Sequence, residues 1–512
     1  MSETLPFHLA DLAGEIGASP YPDSFVVAQQ SVLGCAANDT DKKLIVLAPA
    51  DDAILERFQG EAQPFRESFV LKICPTNHAH AQALREILPW LRPRLLGLTT
   101  SAGFGDRLGL ATPGHVRALR KVLGESGGRE ILPMFAQQSI REMTRTRRTP
   151  EEVLDDATWG TFQAGWRGGV GADADHLKTP DDIDACVAAG YSFYTIDPGA
   201  YVEDLADTSE PQQIERLVAH LPWDTLEGSP QELKQRYAER DVELGSRRLH
   251  LGTNEILYAA AKYGRAIAHV VTMFRHLESK GATFELEVSV DETETPTSHI
   301  EHVYIASELR RLGVSWVSLA PRYVGRFEKG VEYIGDLEAL REDLQGHAEI
   351  AQALGPYKLS LHSGSDKFSV YPLIQEVTGG QVHLKTAGTS FLEALRVIAQ
   401  VAPALFCEIA EFARGRYGED RASYHVSAHV ERIPALKDVF DSASGQEMPR
   451  RFEELAGRLD DFDVRQVLHV TFGSVLDRFG AEIRRELIAH EEEYSAQLER
   501  HFYRHLKPFT VL

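Results

Sequence analysis

Phe284-Glu-Leu-Glu-Val288, continuing as Ser289-Val-Asp-Glu-Thr-Glu-Thr-Pro-Thr297, is the stretch whose reading decides the fold. Apolar and polar residues alternate through its first half, which is the period of a strand. Phe284, Leu286, Val288 and Val290 fall on one face; Glu285, Glu287, Ser289 and Asp291 fall on the other. The strand then enters an acidic cluster, Asp291, Glu292 and Glu294, closed by Pro296. A hairpin would place a simple polar turn here. Carboxylates crowded at a strand's carboxyl end raise one another's pKa and attract a cation or a proton. The alternative is a solvated acidic loop that caps the next helix, so the case for chemistry depends on similar strand ends elsewhere.

Such ends recur on both sides of this stretch. Apolar runs at 95–100, 130–135, 169–173 and 192–196 precede it, and runs at 315–319, 358–361 and 381–384 follow it. Helical patterns separate them. Two of these helices open with strong N-terminal signals, Thr149-Pro-Glu-Glu152 and Thr179-Pro-Asp-Asp182. Eight strand-then-helix units in a row predict an α/β fold, a (β/α)8 TIM-like barrel over 92–402. An open doubly wound sheet is the runner-up, but no GxGxxG loop supports it. The segment 201–280 exceeds one crossover and reads as a helical insertion followed by the regular helix, from about Glu255 to Ser279. Residues 1–91 read as a small mixed α/β N-terminal region, and 403–512 as a helical C-terminal extension.

Composition bounds the function. The 512 residues are 43% hydrophobic and 25% charged, with a net charge of −22, which argues against nucleic acid or an anionic membrane as the main partner. Cys35, Cys74, Cys186 and Cys407 lie far apart with no CxxC, which suits a reducing compartment and offers no thiolate zinc site. Met1-Ser-Glu-Thr-Leu5 lacks a signal-peptide pattern, and no apolar run is long enough to span a bilayer, so a cytoplasmic protein is expected.

In a barrel the chemistry sits on the loops after the strands. Those ends collect Asp175, His176, Lys178, Asp197, Asp291, Glu292, Arg322, His362, Asp366, Lys367, His383 and Lys385. Histidines and carboxylates without thiolates suit a divalent cation such as Mn, Zn, Co or Ni. His176 and His362 are the leading ligand candidates and Asp291 the third, with Glu287 or Glu292 in its place as alternatives. Lys178, Arg322, Lys367 and Lys385 could bind an anionic substrate, Arg322 in bidentate fashion. Their alternative is pairing with Glu285, Glu287 and the aspartates inside the barrel. His425 and His469 fall outside the barrel, in packing or in a loop closing over the site.

Four strings, Gly171-Ala-Asp-Ala-Asp-His-Leu-Lys-Thr179, Ser289–Thr297, Leu361-His-Ser-Gly-Ser-Asp-Lys-Phe-Ser-Val-Tyr-Pro372 and His383-Leu-Lys-Thr-Ala-Gly-Thr-Ser390, resemble the tagaturonate/fructuronate epimerases. The resemblance implies a metal-dependent epimerase of hexuronate breakdown that inverts a carbinol carbon β to the ketone of a small ketouronate. It further implies His176 and His362 as metal ligands, and Asp175 with a carboxylate of the Asp291–Glu292 pair, Glu292 foremost, as acid and base. A metal-dependent aldolase or ketose isomerase, and a non-catalytic sugar-acid-binding barrel, are the competing expectations. A homo-oligomer is compatible with all of these.

Overall fold

The computed structural model describes residues 9–38, 41–66, 68–245, 247–433 and 448–510. The pentapeptide read for a signal sequence lies outside them. Eight parallel strands close into a barrel in sequential order. They are β1 (Ser101–Phe104), β2 (Leu132–Ser139), β3 (Gly171–Leu177), β4 (Phe193–Ile196), β5 (Glu285–Ser289), β6 (Ser318–Ala320), β7 (Lys358–Leu361) and β8 (Val382–Thr386). The main helix after each is α1 (Thr112–Gly124), α2 (Pro150–Gln163), α3 (Pro180–Ala189), α4 (Thr253–Ser279), α5 (His299–Arg311), α6 (Leu337–Leu354), α7 (Tyr371–Thr378) and α8 (Thr389–Val401). The expected α/β barrel is therefore the observed fold.

Local chemistry explains the helix starts. Thr149 and Thr179 each accept a hydrogen bond from the backbone three residues on, and Glu152 and Asp182 return it. Proline at the first helical position completes both signals. Ser298 and Glu301 cap α5 in the same way.

The first barrel strand departs from expectation. It runs from Ser101 to Phe104, not over 95–100. The apolar run at 95–100 lies under the barrel instead, where Leu96 packs with Met134 and Phe193 as a small apolar plug. Glu285 holds it there by accepting hydrogen bonds from the backbone of Leu96 at 3.0 Å and Gly97 at 2.5 Å. Strand hydrophobicity and plug hydrophobicity look alike in sequence, so the apolar run alone could not separate them.

The insertion also differs from a purely helical one. Arg240–Leu244 and Arg247–Leu251 form an antiparallel hairpin. Its alternation and the glycine at Gly245, which takes φ +60°, were visible in sequence. The N-terminal region is an antiparallel sheet of six strands between Ser19 and Pro75. No described helix is long and apolar enough to cross a membrane.

The C-terminal helices clasp the barrel. The helix Glu491–Leu506 packs along α1 and α8 and buries His501, Phe502 and His505. His505 Nε2 accepts the Asp366 backbone N–H at 3.0 Å, so this ring must be neutral. Burial pushes His505 down to about 3, and burial likewise pushes His115 of α1 down to about 4. Unfolded, both would titrate near 6.5. The unfolded chain therefore takes up protons first, and the contribution of these two rings to stability rises with pH from about 4 to 6.5 and then levels off. Acidification through that window is expected to cost roughly 3 kcal/mol through His115 alone. Thermal melts across the window check this, and His115→Gln should flatten the slope.

Candidate active site

The face of β5 that carries Glu285, Glu287 and Ser289 points into the barrel, and the interior is ionic where most barrels are apolar. Lys385 of β8 lies at its centre. Its ammonium is 2.8 Å from Asp173, 2.7 Å from Asp175 and 2.8 Å from Glu287. Burial opposes its charge, but the three carboxylates outweigh burial and hold Lys385 charged well above the usual lysine range. Burial would raise Asp175 and Glu287; Lys385 first, then the histidines, drives both well below the usual carboxylate range. Three carboxylates around one lysine leave net negative charge beneath the mouth. Thr195 and Ser318 add hydroxyl donors to Glu287.

Above this layer β3 does something that regular pleating forbids. Asp175 and His176 together oppose the single residue Thr195 of β4. This is a β-bulge, and His176 takes φ +54° to make it. A non-glycine residue in that region costs about 1 kcal/mol. The bulge lets two consecutive side chains reach the same site. His176 Nδ1 lies 3.1 Å from Asp197 Oδ2 at the end of β4. His362, just past β7, lies with its ring 4.3 Å from that of His176. Donor atoms of Asp175, His176 and His362 gather within 4.8 Å of one another, and so do those of His176, Asp197 and Glu292.

A divalent cation fits this geometry. His362 Nε2 is 3.1 Å from Asp175 and its Nδ1 is 3.4 Å from Glu287. Neither nitrogen is aligned as a hydrogen bond, although the ring is buried. Burial and Lys385 disfavour a charge on His362, yet Asp291 and Asp175 outweigh them and raise it to about 10. The site thus demands a positive charge at that ring, which a proton or a metal ion would supply.

Sequence and structure differ on several named residues. Asp291 is not in either ligand group among the described residues. The chain turns after β5, and the Asp291 carboxylate accepts from Ser289 Oγ at 2.6 Å. Asp175, expected as an acid or base, has both oxygens engaged, Oδ1 by Lys385 and Oδ2 by Gln137 at 3.1 Å. Lys367 is removed from the substrate set, because its ammonium donates to the carbonyls of Glu328, Val331 and Ser365. Lys385 is removed by its three carboxylates. Lys178 is half exposed and pairs with Asp197 at 3.1 Å. Arg322 lines the open cleft, and among the described residues its guanidinium has no protein partner.

That cleft holds about 210 Å³ and is walled by Asp291, Glu292, Arg322, Lys329, His362 and Tyr424. Glu292 accepts from Arg141 at 3.1 Å. Burial would raise its carboxyl; His176, Lys329 and Arg141 hold it at about 2. The sequence reading singled out neither Arg141, which sits in the short helix Ile140–Thr146 directly after β2, nor Lys329, which lies in the loop after β6. The C-terminal extension supplies Tyr424 and His425 to one side of the cleft, and buried His469 to the adjoining space beside Asp175 and His176. Both histidines expected outside the barrel thus border its mouth.

The model of the tagaturonate epimerase family matches residues 21–509. The chain belongs to this family. It is 42% identical to the tagaturonate/fructuronate epimerase of Thermotoga maritima over 458 residues, covering 87% of this chain and 90% of that protein. The fructuronate-tagaturonate epimerase UxaE of Cohnella laeviribosi, solved in native form, superposes with a TM-score of 0.87 at 32% identity, over 98% of this chain and 99% of that one. A form of the same enzyme with two glycerols bound gives 0.88 at 31% identity over the same shares. As a member of the tagaturonate epimerase family the chain is an isomerase, and the ionic barrel mouth is the candidate seat of its chemistry.

Proposed function

We propose that this epimerase interconverts D-tagaturonate and D-fructuronate in the cytoplasm, using a divalent cation held by His176, His362 and Asp175. The observation that carries the reading is the convergence of those three donors with Asp197 and Glu292 at one barrel mouth. No disulfide joins the four cysteines among the described residues, and such usage suits the reducing compartment. A bound cation of the Mn, Zn, Co or Ni class would supply Lewis acidity toward the substrate's ketone.

The side chains supply the rest. The inverted carbon is β to the ketone, so its C–H is not acidified by that carbonyl. Removing the β-hydroxyl proton instead lets the α–β carbon bond break. Its electron pair passes to the ketone side and the β-carbon becomes an aldehyde. Rotation of that aldehyde and re-addition restore the bond with the opposite configuration. Glu292, kept ionised by its cationic neighbours, takes the hydroxyl proton. Asp291, beside it on the cleft wall, takes over the second proton role, because Asp175 is already engaged. Arg322 binds the substrate carboxylate.

Incubation with D-tagaturonate, followed by chromatography, should yield D-fructuronate; three-carbon products or an aldose would overturn the assignment. In D2O the inverted carbon should gain no deuterium, whereas incorporation would replace carbon–carbon cleavage by proton removal. Arg322→Ala should raise KM by about 10–100-fold with kcat less changed, the worth of one charge-assisted bidentate contact. Arg322→Lys should recover little of it, because the fork is lost. Initial-rate kinetics on both variants check this.

A further inference from the structure

Outside the mouth, a second group of side chains has a donor atom with nothing to receive it. α5 begins with His299 and carries His302 one turn on; α6 carries Asp343 and His347 one turn apart. The two helices pack side by side on the outside of the barrel. His347 is fully buried, and its Nε2 has no hydrogen-bond partner. Asp343 Oδ1 lies 3.5 Å from it. His299 Nε2 approaches the same oxygen at 3.8 Å and donates to the Asp343 backbone carbonyl at 3.1 Å, a hydrogen bond it would give up on ligating a cation. The three donor atoms lie within 4.8 Å of one another.

Tautomers sharpen this. His347 Nδ1 is 2.8 Å from His302 Nδ1, and His302 Nε2 is 2.8 Å from the Tyr357 hydroxyl. If the chain of donors runs from Tyr357 toward His347, then His347 Nε2 carries a hydrogen that finds no acceptor. If it runs the other way, His347 Nδ1–H donates to His302, and Nε2 presents a bare lone pair. The second polarity is that of a metal-bound histidine fixed through its other nitrogen. A cation removes the cost of the orphaned atom in that state, and Asp343 neutralises part of its charge. Close approach is built in at Gly346, where a Cβ would lie 2.2 Å from the His299 ring.

We infer that His299, Asp343 and His347 form a second divalent-cation site, of zinc-like preference, distinct from the barrel mouth. His299 is partly exposed and gives it access to solvent. Asp343 Oδ2 also accepts the Val324 backbone N–H at 3.0 Å, so an ion there would brace the loop that carries Arg322. The site's role is structural: it holds the cleft wall and touches no reacting atom.

The test is zinc stoichiometry on full-length protein, stripped with chelator, reloaded with zinc and dialysed before elemental analysis. His299→Gln is the first variant, because its position at the start of α5 is tolerant; His347→Gln is the second. Bound zinc should fall by one equivalent per chain in each, both in the otherwise unchanged protein and on a His362→Ala background. The second background separates this site from the mouth: loss caused by His362→Ala alone reports only on the mouth. Cobalt(II) loaded into the His362→Ala protein should show visible d–d absorption that His347→Gln abolishes. Equal zinc content with and without His299→Gln and His347→Gln, in either background, would overturn the proposal.

Discussion

His362→Ala is expected to release the cation from the barrel mouth and lower turnover by at least about a thousandfold, while the barrel stays folded. The ring is buried against His176, and both of its nitrogens face carboxylates without aligned hydrogen bonds. Without it, Asp175 and Glu287 keep only Lys385 as a close buried cation of the pair, and the variant should also lose a few kcal/mol of stability, roughly the cost of an uncompensated buried charge. Elemental analysis, circular dichroism and turnover, measured on one preparation, separate these effects. Metal content equal to that of the parent protein would take His362 out of the ligand set. A collapsed dichroism spectrum would instead show that the ring serves the fold.

Glu292→Gln is the complementary case. The amide keeps the size of the side chain and can still reach Arg141, but it cannot accept the hydroxyl proton. We expect kcat to fall by roughly 10²–10⁴-fold, the usual worth of a general base, with KM and metal content little changed. A decrease of less than about tenfold would move the base elsewhere, Asp291 being next on the same wall. The two variants divide the site between holding and proton transfer, because one should lose metal and the other should not.

Much of this molecule was legible before its coordinates. The alternation at 284–290 placed Glu285 and Glu287 on one face, and that face proved to be the barrel interior. The polar ends of the strands gave the closed barrel and the pair His176 and His362. The strand at 101–104 was missed because hydrophobicity does not tell a strand from a plug beneath one. Lys385 follows the alternative open in sequence, pairing with Glu287 and the aspartates inside the barrel, whereas Lys367 is held by backbone carbonyls, and no residue type announces that. That Asp175 gathers with His176 and His362 while Asp291 turns to Ser289 was hidden for a different reason. It depends on a backbone irregularity in β3, and no residue type announces a bulge when the residue at positive φ is histidine and not glycine. Lys329 and Tyr424 reach the cleft from segments away from the strand ends, where local pattern carries no information.

The extra residue in β3 also matters to anyone who would rebuild this centre elsewhere. Copying Asp175 and His176 onto a regular strand of another barrel would send one side chain inward and its neighbour out toward the helices. A graft must import the backbone defect along with the letters, and a one-residue deletion there should uncouple the pair more thoroughly than exchanging either side chain.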